Sequence, residues 1–185
     1  NGLIEMLNKQ DGLYTLFLNG VQKGKVVKQK ELITNIVKSI NPYKDFQQYV
    51  DLAKEEHLEF IISNTTEAGI SYVENDKIEM QPPTSFPAKL TIFLYERFKH
   101  FNGDVQKGLT IIPCELINYN ADTLKEIILK YSSDWKLNTD FEKWLLNCNS
   151  FHNTLVDRIV PGYPKDEIVE YNKLLNYSDN LIVAA

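Results

Sequence analysis

Three short apolar runs, each closed by a polar loop, constrain this chain most. Leu58-Glu59-Phe60-Ile61-Ile62-Ser63 opens into Asn64-Thr65-Thr66-Glu67-Ala68-Gly69. Leu109-Thr110-Ile111-Ile112 runs into Pro113-Cys114-Glu115-Leu116-Ile117-Asn118-Tyr119-Asn120, and Thr154-Leu155-Val156-Asp157-Arg158-Ile159-Val160 is closed by Pro161-Gly162. Runs this short and this apolar fit strands buried on both faces of a parallel sheet. Helical spacing fills the gaps. Phe46, Val50 and Ala53 lie on one face of 43–54, behind the start signal Asn41-Pro42; Leu90, Phe93, Leu94 and Phe98 lie on one face of 88–101. Residues 121–131 read as a helix with Asp122 in its first turn, and 140–146 as another with Thr139 as N-cap. Ahead of these, 12–18 is rich in aromatic and β-branched residues and Asn19-Gly20 follows, which predicts a hairpin returning through Val26 and Val27 to Leu32 and Ile33. The expected fold class is α/β: a mainly parallel sheet with flanking helices and an inserted β-hairpin. Ligands bind such sheets at the C-terminal ends of the strands, and all three strand ends here carry polar loops.

Composition removes several function classes. The 185 residues are 43% hydrophobic and 24% charged, an ordinary globular balance. Twenty basic and 25 acidic residues leave a net charge of −5, without the basic excess of a nucleic-acid binder. The basic cluster Lys23, Lys25, Lys28, Lys30 reads as a solvated hairpin. No window approaches the roughly 18 apolar residues of a membrane span, and the N-terminus has no signal-peptide pattern. Cys114 and Cys148 form no CxxC pair, and His57, His100 and His152 show no metal spacing, so no metal is expected. Together these fit a cytoplasmic protein that binds neither nucleic acid nor membrane.

The eight glycines form neither GxGxxG nor GxxxxGK[ST], so no phosphate-cradling turn is legible. The chain also starts at Asn1 and ends in the apolar Leu181-Ile182-Val183-Ala184-Ala185, which reads as a cut at both ends.

Five strings, in order, carry a resemblance. They are Asp11-Gly12-Leu13-Tyr14-Thr15, Ile62-Ser63-Asn64-Thr65-Thr66-Glu67-Ala68-Gly69-Ile70, Phe86-Pro87-Ala88-Lys89-Leu90-Thr91, Ile111-Ile112-Pro113-Cys114-Glu115-Leu116-Ile117, and the stretch from Asn149 to Val160. Over essentially its whole length the chain resembles the mannitol dehydrogenase family, and Thr-Thr-Glu-Ala-Gly with Pro-Cys-Glu-Leu-Ile places the resemblance on the hexuronate branch. The resemblance implies a partial Rossmann-like domain. It also implies NAD as cofactor, no metal, and hydride transfer between NADH and the keto group of the sugar acid tagaturonate, giving altronate. Residues 1–185 are then expected to form a single domain: the larger part of an NAD-binding domain that lacks its first βαβ unit and the helical C-terminal domain of the same protein. The family's acid/base lysine lies in that second domain, in a Lys-x4-Asn-x2-His motif. Lys143 upstream of Asn149 and His152 imitates the motif, with a Lys-to-Asn gap one residue too long.

The resemblance assigns Asn64, Thr65, Thr66 and Glu67 to cofactor or substrate-entrance contacts; the alternatives are Asx and ST turns and a solvated carboxylate. Asp157 and Arg158 are placed beside the nicotinamide ribose or substrate, or else in a structural ion pair. Where mannitol enzymes carry a carbonyl-polarising asparagine, this chain has Leu116, which cannot donate. Asn120 is the candidate catalytic replacement, an amide donor to the developing alkoxide, or otherwise a helix N-cap. Cys114 reads as a small hydrophobe, and Trp135 and Trp144 as helix packing. The competing readings are a non-catalytic binding module and a piece of a mannitol-type polyol dehydrogenase.

Overall fold

A computed structural model describes residues 2–66, 68–155 and 160–185, without the side chain of Gln22. In chain order the elements are α1 (Gly2–Lys9), β1 (Tyr14–Gln22), β2 (Lys25–Ile33), α2 (Phe46–Asp51), β3 (Phe60–Ser63), α3 (Phe86–His100), β4 (Thr110–Pro113), α4 (Asn120–Asp134), α5 (Thr139–Cys148), β5 (Ser150–Phe151), α6 (Ile168–Lys173) and β6 (Val183–Ala184). They fall into two compact units, one from the described residues of 1–41 and 158–185, the other from 42–157.

In the first unit the strands order β2-β1-β6, with β1 antiparallel to β2 and parallel to β6. The hairpin turn is not at Asn19-Gly20. Gln22 pairs with Lys25, and Lys23 (φ 51°) and Gly24 (φ 75°) make the two-residue turn. Two successive residues at positive φ match the twist of the flanking strands, so the turn settles there. Asn19 stays inside the strand, its Nδ2 donating to Tyr171 Oη at 3.1 Å. The core is Phe17, Tyr171, Leu175, Ile182 and Ala184. Asp179, 6% exposed, accepts from Thr15 N at 2.7 Å, Gln10 Nε2 at 3.1 Å and Leu181 N at 2.7 Å. Burial pushes its carboxyl up, but these donors outweigh that and hold it below the usual carboxylate value.

The second unit carries the parallel sheet, ordered β3-β4-β5. The expected helix over 43–54 shortens to α2 because the Asp45 side chain accepts from Gln48 N at 2.9 Å and starts it there; Leu52–Lys54 then tightens into a 3-10 turn. Asn138, not Thr139, caps α5, accepting from Asp140 N at 2.8 Å. A strand the sequence did not announce, Ser150–Phe151, is paired by Ser150 N to Leu109 O and His152 N to Ile111 O, both 3.0 Å; of the run expected over 154–160, residues 156–159 lie outside the described residues. Thr154 and Leu155 lie outside β5 because Asn153 and Thr154 are bonded to the start of α4 instead. A Cβ on Gly108 would lie 1.6 Å from Cys148 O, so only glycine lets these two chain segments approach so closely.

The core of this unit joins α3, α4 and α5 through Leu90, Phe93, Leu94, Leu124, Ile128, Phe141, Trp144 and Leu145. Trp144 packs as expected, with Nε1 donating to Asp104 O at 3.0 Å; Trp135 Nε1 donates to Asp76 O at 3.1 Å. Asp76, 1% exposed, braces the connection from β3 to α3, accepting from Thr84 N at 2.6 Å, Thr84 Oγ1 and Ser85 N at 2.9 Å. Burial raises its pKa, but the Thr84 and Ser85 donors prevail and bring it from 3.8 to about 2. A carboxyl whose folded pKa is depressed stabilises the fold above its unfolded pKa and loses that contribution as pH falls through the folded value. Acidification from about pH 5 to about pH 2 should therefore cost the protein about 2 kcal/mol that Asp76→Asn does not lose. Urea unfolding of both proteins across that range checks it; parallel acid limbs would refute the assignment.

Candidate functional site

The C-terminal ends of β3 and β4 are hydrogen-bonded neighbours, and Cys114 N donating to Ser63 O at 2.7 Å extends the pairing one residue further. Directly beyond, Glu115 turns inward and is 2% exposed. Its carboxylate accepts from Ser63 Oγ at 3.0 Å, Thr65 N at 3.0 Å and Thr65 Oγ1 at 2.9 Å. A buried carboxylate is costly unless its lone pairs are used; here three donors use them, and the loop after β3 is thereby tied to the end of β4. Gly69 N closes the loop on Thr66 O at 2.8 Å, and a Cβ on Gly69 would lie 1.8 Å from Thr65 Oγ1. Asn64, Thr65 and Thr66 are exposed at the sheet edge. Glu67, Asp157 and Arg158 lie outside the described residues.

Beside this loop is a hollow of about 510 Å³ bounded by Tyr43, Thr65, Gly69, Ser71, Ser85 and Lys89. Ser85 caps α3, its Oγ accepting from Ala88 N at 3.2 Å. Lys89, 7% exposed, donates to Thr84 O at 2.7 Å and Ser85 O at 3.4 Å, with its ammonium 5.0 Å from the centre of the Tyr43 ring. A second hollow, about 380 Å³, lies at the ends of β4 and β5 and is bounded by Ile117, Asn118, Tyr119, Asn153, Thr154 and Leu155.

The side chain of Asn120, the candidate catalytic amide, is hydrogen-bonded within the fold. It is fully buried. Its Nδ2 donates to Pro113 O at 2.9 Å, Glu115 O at 3.0 Å and Thr154 O at 3.2 Å, while its Oδ1 accepts from Thr154 N at 3.1 Å and Ala121 N at 2.8 Å. An amide engaged on both sides within the fold has no donor to aim at a reacting carbonyl. Nor is it the cap of α4: that position is Tyr119, and Asn153 Oδ1 accepts from Ala121 N at 2.9 Å and Asp122 N at 3.2 Å across the loop. Leu116 is 43% exposed at the end of β4.

Glu115 is the residue that sequence reasoning did not single out. Its signal is a carboxylate one residue past a buried strand, in an otherwise apolar string. Among the described residues no group of three or more His, Cys, Asp and Glu could hold a metal, and no helix is long and apolar enough to cross a membrane. Hydroxyls, an amide and backbone around a strand end suit the hydroxyls of a ribose and the carboxamide of a nicotinamide. None of these loops is a glycine-rich phosphate turn.

A parallel sheet with its polar loops gathered at the strand ends defines an α/β ligand-binding domain, and comparison gives the class: the chain belongs to the mannitol dehydrogenase family, whose Rossmann-domain model matches residues 1–185. Within the family it is similar to altronate oxidoreductases. It is 50% identical over 180 residues to that of Bacillus subtilis (strain 168), covering 97% of this chain and 38% of the relative, and 47% identical to that of Shigella flexneri, covering 97% and 37%. The fold matches Pseudomonas fluorescens mannitol 2-dehydrogenase, solved as a ternary complex with NAD and D-mannitol, at a TM-score of 0.77 and 17% identity, over 98% of this chain and 38% of that one. It matches a substrate-free D-sorbitol dehydrogenase at 0.79 and 17% identity, over 99% and 39%. The chain thus spans well under half the length of the relatives it matches.

Proposed function

We propose that this chain is the larger part of the cofactor domain of an NAD-dependent oxidoreductase that interconverts tagaturonate and altronate. The observation that carries the reading is 50% identity to an altronate oxidoreductase across 97% of the chain, with the strand-end loops inside the matched region. The edge strand β3 supports its being part of a larger sheet: Phe60 and Ile62 are 55% and 69% exposed, whereas the strands of a complete parallel sheet are buried on both faces.

In this reading Asn64, Thr65, Thr66 and Glu67 contact the nicotinamide ribose and carboxamide, and Asp157 and Arg158 serve the same cofactor. Glu115 holds the β3 loop in place, and Asn120 fixes the corner after β4 rather than touching the substrate. NADH supplies the hydride when bound. The chain's own residues orient the nicotinamide over the sheet edge and exclude water beside it, while the proton is handled by the lysine of the helical C-terminal domain. In the same reading the diphosphate is held outside the described loops, by a first βαβ unit.

The test is the product of the complete reading frame, assayed by loss of NADH absorbance. Tagaturonate should be reduced with a kcat/KM at least ~100-fold above that for fructose, since a site built to bond a substrate's polar groups rejects analogues lacking them. The 185-residue chain alone should show no turnover. Equal or better reduction of fructose would overturn the reading in favour of a mannitol-type enzyme.

A further inference from the structure

Tyr119 is out of place for its backbone. It sits at φ 54°, ψ 44°, in the left-handed region, as the residue preceding α4. Glycine adopts that conformation freely and asparagine with little penalty, whereas an aromatic residue is strained by its Cβ. Nothing local compensates. The Tyr119 side chain makes no capping bond, and the first amides of α4 are already taken by Asn153. Nor does packing account for the ring, which is 73% exposed. The backbone around it is nonetheless firmly held: Asn120 bonds to Pro113, Glu115 and Thr154, and Thr123 N donates to Tyr119 O at 2.9 Å. A strained residue kept in a rigid corner, with its side chain turned to solvent, points to a role for the side chain outside the fold.

Its position says what that role is. Tyr119 lines the hollow at the end of β4 together with Ile117, Asn118, Asn153, Thr154 and Leu155. β4 is the direct neighbour of β3, whose loop carries the cofactor in the reading above, and neighbouring parallel strands lie about 4.8 Å apart. The next place along the edge is therefore within reach of the nicotinamide. An aromatic face beside the Asn118 amide and the apolar Ile117 and Leu155 matches a polyhydroxylated carbon chain, which presents C–H faces and hydroxyl rims.

We propose that Tyr119 is a specificity-determining residue whose ring forms one wall of the sugar-acid subsite, packing on the substrate's carbon chain. The proposal rests on the reading of the protein as a tagaturonate–altronate oxidoreductase. It is tested in the complete enzyme with Tyr119→Gly, Tyr119→Asn and Tyr119→Phe. Glycine and asparagine keep the left-handed backbone and remove the ring, so both should fold with a Tm equal to or above that of the parent. Their KM for tagaturonate should rise about tenfold, a loss of about 1.4 kcal/mol of binding, with KM for NADH within twofold. Phenylalanine should stay near the parent value, since it keeps the wall. An unchanged KM for tagaturonate in the glycine and asparagine variants overturns the proposal. So does a rise in KM for NADH instead, or a Tm several degrees lower, which would make the ring a cofactor contact or a structural plug. A parent enzyme inactive on tagaturonate brings down the functional reading itself and this proposal with it; an active parent with indifferent variants brings down the proposal alone.

Discussion

Replacing Arg97 by methionine is expected to destabilise the parallel-sheet unit by about 4 kcal/mol, the largest effect foreseen for any single side chain outside the site. Arg97 is 1% exposed, and its guanidinium is answered by carbonyls: Nε donates to Lys107 O at 2.7 Å, Nη1 to Ala53 O and Glu55 O at 2.9 Å, and Nη2 to Leu58 O at 3.1 Å. The guanidinium also lies 4.8 Å from the centre of the Phe101 ring. Burial pulls its pKa below the ordinary arginine value, yet carbonyl oxygens keep the cation solvated within the protein. These carbonyls belong to the segments leading into β3 and β4, so one side chain on α3 sets where both strands begin. Methionine fills much of the volume but removes the donor to Lys107 O, Ala53 O and Leu58 O, at roughly 1 kcal/mol or more each, while Glu55 O keeps Leu58 N at 3.3 Å. Lysine is the informative control. It keeps the charge, but a single ammonium cannot reproduce the planar fork, so about half the loss should remain. Denaturant unfolding of the parent and the two variants measures this. A loss below about 1 kcal/mol for methionine would mean that water reaches the carbonyls and that the register has another origin.

The same residue marks where the sequence stops being readable. β3 and β4 announce themselves, because Phe60-Ile61-Ile62-Ser63 and Thr110-Ile111-Ile112-Pro113 are apolar runs ending in turn formers. The helices α3 and α4 are legible for the same kind of reason, their periodicity being local. Long-range hydrogen bonds have no such signature. Arg97 reads as one more cation near the end of a helix, a position that normally favours exposed positive charge. Only the fold reveals that three of its carbonyls come from 39 to 44 residues upstream and the fourth, Lys107 O, from 10 residues downstream. The start of the third run shows the same mechanism; its residues 156–159 lie outside the described residues. Thr154-Leu155 looks like strand, but Asn153 and Thr154 are claimed by Ala121 N and Asn120 Oδ1, and the described pairing with β4 is Ser150–Phe151. The hairpin turn moved because Asn-Gly is a strong local signal that the pairing of Asn19 with Lys28 overrides. Asn120 is legible in the sequence only as a polar residue in the stretch after β4, where the fold makes it the first residue of α4. Its amide was available to the fold first, and no reading of one strand and one loop could disclose that.

Glu115 offers the sharpest test of how the site is built. Under the proposed function, substituting alanine is expected to lower kcat/KM of the complete enzyme about 100-fold with little change in Tm, Glu115 acting through the loop it holds. The carboxylate holds Ser63 Oγ, Thr65 N and Thr65 Oγ1, and with them the loop carrying Asn64, Thr65 and Thr66. Hydride transfer depends steeply on the distance and angle between donor and acceptor carbons, and a misplacement of about 1 Å can cost about 100-fold. Stability should respond less. Alanine removes the buried charge along with its partners' acceptor; the Thr65 groups, already exposed, recover water, and the cost that remains is the Ser63 hydroxyl, 6% exposed, left without its acceptor. Glutamine separates geometry from charge. Its single carbonyl oxygen can still take one or two of the donors, but its NH2 then faces the third, so an intermediate loss of about tenfold is expected. If positioning is the cause, the alanine variant raises KM for NADH and lowers kcat together, and the pH profile keeps its shape. A displaced pH profile would show instead that the Glu115 carboxyl takes part in proton transfer. Parent-like kinetics in both variants would mean that the β3 loop holds its place without Glu115, and that the cofactor lies elsewhere on the sheet edge.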